Sequence, residues 1–166
     1  MSDDKLGAAA RKRGRPKGRC AGGYIEIEAP ADIVWSIAGD WQGWGEWNPL
    51  YTRTAREPRE GEEIEFTVTV PGMKPMDAKA EVYTYRPNKL FEYGVSNLAG
   101  MLRAFRFIDI EELGPERCGV ANGEIMSGPI GAIVARIAGP KVTVGLKAMN
   151  EKMKDLAEAK WQARHG

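Results

Sequence analysis

Hydrophobic and polar residues alternate with a period of two through much of the middle of the chain. In residues 63–70, Ile64, Phe66, Val68 and Val70 share one face, while Glu and Thr residues occupy the other. This period is typical of a half-buried strand. Recurrences of the pattern between turns rich in Gly, Pro and Asn predict an antiparallel meander of six strands. The predicted strands are residues 51–56, 63–70, 77–85, 90–96, 101–111 and 117–127.

Helical patterns lie on both sides of this meander. Residues 24–28 alternate as a first strand, and Pro30 then begins a short helix at a position where a missing N–H costs nothing. Residues 41–47 predict a second short helix. Apolar residues recur at spacings of three and four over residues 130–161, which predicts a long amphipathic C-terminal helix. We expect Gly139-Pro140 to kink or divide this helix.

Four of the five tryptophans lie between positions 35 and 47. Each tryptophan is a large apolar surface with one N–H donor, so the cluster indicates a shared apolar space with a wet edge. We expect Trp35 to lie in the core. For Trp41 and Trp44 two interpretations stay open, namely ordinary packing and a gate through which a ligand or lipid surface enters.

Length and charge predict one folded domain with a basic N-terminal tail. The chain has 166 residues and a net charge of +1, but its first 20 residues hold seven Lys or Arg against two Asp. We therefore predict a disordered tail over 1–22, a folded domain over 23–161 and a short tail over 162–166. Two cysteines, one of them in the tail, do not indicate a disulfide scaffold. No signal peptide or membrane span is predicted, so a cytoplasmic location is expected.

Several short motifs are weak singly, but their order and spacing together are specific. They are Ile27–Trp35, Asp40, Trp47–Pro49, Glu60-Gly61, Pro87–Leu90, Phe105–Phe107, Glu124–Ile130, Met149–Glu151 and Leu156–Glu158. In this order they resemble the START-like superfamily, specifically its polyketide cyclase/dehydrase and lipid-transport group (SRPBCC). The resemblance covers residues 23–161. It implies an α+β helix-grip fold, in which a curved antiparallel seven-stranded sheet wraps around a long C-terminal helix.

The resemblance also implies a cavity between sheet and helix that binds a hydrophobic or amphipathic small molecule, lipid or polyketide-like. Such pockets are mostly apolar with a few placed polar groups. The predicted ligand-binding residues are Trp47, Asn48, Phe66, Val68, Arg103, Phe105, Phe107, Glu124, Val134, Ile137, Leu146 and Met149.

Arg103 and Glu124 are the polar candidates for this cavity. Arg103 shares its alternation with Met101, Phe105 and Phe107, so it points inward if that face does. A buried guanidinium requires partners, and an acidic or carbonyl-bearing ligand would serve. Alternatively, Arg103 lies at the solvated end of the strand and pairs with a surface carboxylate. Glu124 has the same two interpretations, or it forms a structural ion pair with Arg103.

Ligand carriage is therefore the first functional hypothesis, and a polyketide cyclase or dehydratase is the second. The only histidine, His165, stands beside the chain end, so the domain has no histidine general base. Cys118 without such a base is expected to be a packed apolar group. The sequence shows no metal-ligand cluster and no phosphate loop, and no metal or cofactor is expected. Polar residues available to a cyclase are Arg103, Tyr83, Tyr85, Tyr93, Glu124 and Asp40.

The third hypothesis concerns the basic tail. Its core, Arg13-Gly14-Arg15-Pro16-Lys17, resembles an AT-hook, whose arginines enter the minor groove of A·T-rich DNA. This implies weak DNA binding, whereas a solubility arm is the alternative interpretation. A membrane-surface role is a further rival, because residues 128–146 are apolar enough to touch lipid. Packing on the sheet explains the same one-sided pattern.

Overall fold

The computed structural model describes residues 2–165, without the side chains of Asn97, Leu98 and His165. Seven strands form one antiparallel sheet that curves around a long C-terminal helix. The strands are β1 (Arg19–Ile27), β2 (Tyr51–Ala55), β3 (Glu63–Val68), β4 (Met76–Arg86), β5 (Leu90–Asn97), β6 (Leu102–Gly114) and β7 (Arg117–Ser127). The helices are α1 (Ser2–Ala10), α2 (Ala31–Ala38), α3 (Trp44–Trp47) and α4 (Gly131–His165), with 3₁₀ turns at Trp41–Gly43 and Leu98–Gly100.

The strand order in the sheet is β1-β7-β6-β5-β4-β3-β2, so β2 to β7 form the meander and β1 pairs with β7. Every pair is antiparallel, and the longest ladder joins β6 to β7. This order confirms the predicted α+β helix-grip fold and all six strands of the meander. Because β1 and β2 lie at opposite edges, α2, the 3₁₀ turn and α3 cross the concave face to connect them.

The main core fills the concave face of the sheet. Trp41 and Trp44 are fully buried at its centre, with ring centroids 4.9 Å apart. Their N–H groups donate to the carbonyl oxygens of Ala55 (3.2 Å) and Ala38 (3.1 Å). Both residues are therefore packed rather than exposed at an entrance. Burying an aromatic ring while its N–H keeps a partner is the arrangement that these side chains favour.

A second, smaller core lies on the outer face of the sheet. There α1 places Leu6 and Ala9 against Phe107, Ala121 and Ile125 of β6 and β7. In the described part of the predicted disordered tail, residues 2–22, the structure instead has α1 and the start of β1. The helix α1 covers apolar side chains that would otherwise face water. Asp3 and Asp4 in the first turn of α1 also favour the helix through its dipole.

The helix α4 is continuous from Gly131 to His165, so it is not divided at Gly139-Pro140. Pro140 is exposed, whereas Ala135 and Val142 on either side of it are buried against the sheet. This packing offsets the roughly 3 kcal/mol that an interior proline costs a helix. The predicted C-terminal tail is also helical as far as His165, and Gly166 lies outside the described residues.

Candidate functional site

A cavity of about 750 Å³ lies between the concave face of the sheet and the N-terminal half of α4. Apolar side chains form most of its wall, because inward positions of β3 to β7 alternate with outward ones. The polar lining residues are Tyr51, Arg53, Glu65, Asp77, Lys79, Ser96, Arg106 and Glu124. Prominent lining residues are Leu50, Tyr51, Phe66, Val68, Val95, Leu102, Ala104, Arg106, Glu124, Met126, Val134, Ala138, Val142 and Leu146.

Arg106 is the central polar group of this wall, and only 3% of it is exposed. Its Nη1 donates to Asn122 Oδ1 at 2.8 Å and to the carbonyl oxygen of Gly123 at 2.7 Å. Its Nε donates to the hydroxyl oxygen of Tyr51 at 3.2 Å. These bonds fix the plane of the guanidinium, which a flexible lysine could not reproduce.

The second terminal nitrogen of Arg106, Nη2, has no hydrogen-bond partner among the residues that the structure describes. Burial by itself would lower the pKa of Arg106, but Tyr93, Tyr51 and Glu124 raise it, so the group stays charged. A buried cationic N–H left without an acceptor is costly. Arg106 is a lining residue of the cavity, so this unpartnered donor lies beside the space that a bound molecule would occupy.

Tyr51 provides a second donor beside Arg106. Its oxygen accepts hydrogen bonds from Tyr93 Oη (2.5 Å) and Arg106 Nε, so its own hydrogen can go to another acceptor. Asn48 Oδ1 accepts the backbone N–H groups of Leu50 (2.9 Å) and Tyr51 (3.2 Å), which positions the start of β2. Burial raises the pKa of Tyr93 well above its usual value, so this hydroxyl remains protonated.

Glu124 stands opposite Arg106 in the β6–β7 ladder and lines the same cavity. Among the described residues its carboxylate has no hydrogen bond and no ion pair at salt-bridge distance. Burial raises the pKa of Glu124, and the positive charge of Arg106 only partly opposes this shift. Two fixed donors and one carboxyl of raised pKa can bind a carbonyl or anionic oxygen and exchange a proton with it.

The prediction that Phe105 and Phe107 line the cavity is wrong, and of the two interpretations of Arg103 the structure shows the solvated one. These residues lie on the outer face of β6, where Phe107 is buried beneath α1 and Arg103 is exposed. Both faces of this strand carry apolar residues, because each face is covered by a helix. Alternation alone therefore could not identify the inward face, and the inward arginine is Arg106.

The other predicted ligand-binding residues divide into two groups. Phe66, Val68, Glu124, Val134 and Leu146 line the cavity as expected. The remaining four, Trp47, Asn48, Ile137 and Met149, lie outside this lining.

Ile137 is 69% exposed on the opposite side of α4, which corrects the prediction that it faces inward. Met149 is buried deeper in the core, where its sulfur accepts a bond from Asn122. Trp47 is half-buried against Trp44, with ring centroids 6.4 Å apart. Asn48 acts on the cavity through the position of Tyr51.

Sequence reasoning missed Tyr51 and Arg106 as cavity residues. Arg106 lies in the motif Phe105–Phe107, where the alternation predicts that the two aromatic residues point inward and the charged residue outward. The signal that could have located it is Ala104, since a small residue beside an arginine leaves room inside a sheet. Tyr51 directly follows Asn48, Pro49 and Leu50, a turn that aims the first side chain of β2.

The other polar candidates for catalysis are spread over the molecule. Tyr83 stacks on Phe105 at 5.6 Å on the outer face, and Asp40 is exposed. Tyr85 donates from its hydroxyl to the carbonyl oxygen of Gly39 at 2.5 Å. Cys118 is buried, and burial raises the pKa of its thiol to about 11. Of this set only Tyr93 joins the cavity network.

The basic segment Arg13-Gly14-Arg15-Pro16-Lys17 lies along the outer face. Arg15 is almost wholly buried there, and it pairs with Glu92 (2.9 Å) and Asp109 (3.0 Å). Its guanidinium also lies over the ring of Phe107 at 4.3 Å. In this arrangement the central arginine of the AT-hook-like motif is not available to a DNA groove.

Among the described residues, three or more His, Cys, Asp or Glu side chains nowhere come together in a way that could hold a metal ion. None of the helices formed by the described residues combines the length and apolar character that crossing a bilayer requires.

A curved antiparallel sheet closed by a C-terminal helix around a cavity defines a START-like helix-grip protein. Within that class, residues 23–158 match the family described as polyketide cyclase / dehydrase and lipid transport, and the chain belongs to this family. The match begins inside β1 and ends near the last turns of α4. No curated protein sequence matches the chain.

Solved structures show the same fold at low identity. An NMR structure of a protein from Arthrobacter aurescens has a TM-score of 0.65 at 13% identity, covering 84% of this chain and 86% of that chain. A norcoclaurine synthase point mutant from Thalictrum flavum, in complex with a transition state analogue, has a TM-score of 0.63 at 18% identity, and the match covers 86% of this chain and 95% of that chain. A START superfamily protein from Mycobacterium smegmatis has a TM-score of 0.61 at 16% identity, and the match covers 88% of this chain and 99% of that chain. At these identities the likeness concerns the fold.

Proposed function

We propose that the protein binds an amphipathic small molecule in the cavity between the sheet and α4. The molecule carries an apolar body and at least one carbonyl or anionic oxygen. The apolar body fits the side chains of β3 to β6 and α4. The oxygen is received by Arg106 Nη2 and by the hydroxyl of Tyr51.

The observation that carries this proposal is the unpartnered Nη2 of a buried, charged arginine that lines a mostly apolar cavity. A protein that used this space only for packing would leave that cation unsatisfied, at a cost of about 1–3 kcal/mol or more. An oxygen-bearing ligand removes the cost. Membership of a family described by cyclases, dehydrases and lipid transport supports the same interpretation.

Isothermal titration of a naphthoate and of the matching methylnaphthalene tests the proposal. The two compounds share an apolar body and differ in the carboxylate. We expect the naphthoate to bind more tightly, and we expect Arg106→Met to weaken it by roughly tenfold or more, since a hydrogen bond to a charged group contributes about 1.5–3 kcal/mol. Methylnaphthalene binding is expected to change little.

Arg103→Met provides the matched control, because it removes the same side chain from the opposite face of the same strand. Circular dichroism of each variant confirms that it is folded, and Arg106→Lys supplies a variant that retains the charge. Equal affinity for the two compounds, or equal losses in the Arg103 and Arg106 variants, would contradict the proposed role of Nη2.

A cyclase or dehydratase is the second candidate, and the carboxyl of Glu124 favours it. This group has a raised pKa and lies in the same cavity as the donors Arg106 and Tyr51. A carboxyl of raised pKa, beside donors that stabilise an oxyanion, is suited to enolisation chemistry. The norcoclaurine synthase structure shows that this fold also occurs in an enzyme that binds a transition state analogue.

Mass spectrometry of reactions with aromatic polyketide precursors distinguishes the two candidates. Product that forms with the wild-type protein and is lost with Glu124→Gln supports the enzyme. Tight binding of the precursor without any turnover supports the carrier.

A further inference from the structure

The outer side of α4 carries an exposed apolar stripe. Ile133, Ile137 and Val144 are 63%, 69% and 60% exposed. At about 100° per residue, these three and Pro140 lie within an arc of roughly 60°. Single exposed apolar residues are ordinary, but a continuous row of large ones on one helix indicates an interaction surface.

Only positive charges flank this stripe. Residues 125–150 contain no Asp or Glu, and their charged residues are Arg136, Lys141 and Lys147. All three are exposed. Helical geometry places Arg136 and Lys147 on one side of the stripe and Lys141 on the other. An apolar row bordered by cations is typical of helices that lie in the surface of an anionic membrane.

The entrance of the cavity continues the same surface. Met73 in the β3–β4 connection and Met76 at the start of β4 line the cavity, and they are 45% and 53% exposed. Lys74 is the only charged residue between them. The side chain of Lys141 runs beside Gly72, so this connection and the stripe are adjacent.

The acidic side chains of this region lie on the sheet and have basic neighbours. Asp77 is 3.8 Å from Arg53, and Glu65 is 3.6 Å from Lys79. The cations of α4 are therefore the charges that a flat anionic surface would meet beside the stripe.

We propose that this docking face, the exposed residues of α4 from Ile133 to Lys147 with Met73 and Met76, binds the surface of an anionic lipid bilayer. Docking brings the entrance of the cavity to the lipid, and it does not depend on which molecule the cavity holds. A bilayer fits better than a second copy of the chain, because two copies would bring like charges together.

Co-sedimentation of the full chain with vesicles tests the proposal. We expect binding to vesicles of phosphatidylcholine with phosphatidylglycerol, weaker binding to phosphatidylcholine alone, and loss of binding at high salt. Arg136→Gln with Lys141→Gln should lower the partition coefficient on the order of tenfold or more, since each cation near an anionic surface contributes about one factor of five to ten. Ile133→Ser with Ile137→Ser should lower it to a similar extent.

Matched variants separate this face from other sources of attraction. Lys152→Gln with Arg164→Gln removes two cations from the C-terminal half of α4, and Leu156→Ser removes an exposed apolar residue there. Arg11→Gln with Arg13→Gln tests the basic N-terminal segment. All three are expected to bind as the wild type does.

Three results would overturn the proposal. They are failure of the wild type to bind anionic vesicles, binding that follows the N-terminal variant instead of the α4 variants, and a dimer in solution that the Ile133 and Ile137 substitutions dissociate.

Discussion

Glu124 and Arg106 stand opposite each other across the β6–β7 ladder, yet burial outweighs their attraction and raises the pKa of the carboxyl. An acid whose pKa is higher in the folded state destabilises the fold above its unfolded pKa, and this effect disappears as pH falls below that value. The charge on Glu124 therefore lowers the free energy of unfolding at neutral pH.

Glu124→Gln should consequently unfold at higher urea concentration than the wild type at neutral pH. We expect the difference to shrink towards pH of about 4, where the unfolded carboxyl also takes up its proton. Urea titrations at several pH values measure this. Exposed Glu116→Gln is the control and should show no such trend. A less stable Glu124→Gln protein at neutral pH would mean that the attraction of Arg106 dominates.

At this scale the sequence predicted Phe66, Val68, Glu124, Val134 and Leu146 at the cavity, but not the arginine. Strand β3 has one apolar and one polar face, so its inward residues follow from alternation. Strand β6 is apolar on both faces, because α1 covers Phe107 from outside. Which arginine points inward depends on that second helix, and the composition of residues 1–22 did not indicate it.

At the scale of elements, the segment from α1 to β1 is held by Arg15. Its guanidinium is 3% exposed between Glu92 and Asp109, each of which is itself mostly buried. Asp109 also pairs with Lys12 at 2.7 Å, so loss of Arg15 leaves Glu92 as the uncompensated charge. Breaking a buried ion pair by removing one partner typically costs about 3–5 kcal/mol.

Arg15→Met should therefore lower the free energy of unfolding by about 3 kcal/mol. Arg13→Met, which removes an exposed arginine from the same segment, should change it by about 0.5 kcal/mol or less. Urea unfolding followed by tryptophan fluorescence compares the two. Similar small changes in both variants would mean that the segment contributes little to the fold.

The positions of the strands and of the C-terminal helix were more predictable than the side that each of them packs against the core. The six strands of the meander and the long C-terminal helix follow from periods of two and 3.6 residues, which depend on local pattern. The face of α4 was less certain, since Ile137 and Val134 both fit an apolar row and only contact with the sheet decides between them. Ile137 is exposed because Ala138 and Val142 take the inward positions.

At the scale of the whole molecule, the cavity is the feature on which the proposed function depends. Ala138 of α4 lines it, and a larger side chain there would occupy space that a ligand needs. A ligand present at about 100 times its Kd stabilises a protein by about 2.7 kcal/mol.

We expect Ala138→Phe to lose most of the stabilisation that a bound naphthoate gives, while its stability without ligand stays close to that of the wild type. Thermal unfolding with and without the compound measures both quantities. Ala132→Phe, which adds the same ring at an exposed position of the same helix, should retain the ligand response. An undiminished response in Ala138→Phe would place the binding site elsewhere.

Both faces of the sheet are covered at β6 and β7, whereas only one face is covered at β3 and β4. Strands β6 and β7 lie between the main core and α1, whereas Glu63, Lys79 and Glu81 of β3 and β4 face water. Backbone amides of strands covered on both faces exchange their hydrogens for deuterium only when the whole protein unfolds. Amides of strands covered on one face exchange through local fluctuations. The end of the sheet formed by β2, β3 and β4 should therefore open locally without unfolding of the rest. This end also carries the cavity entrance through which a ligand must pass.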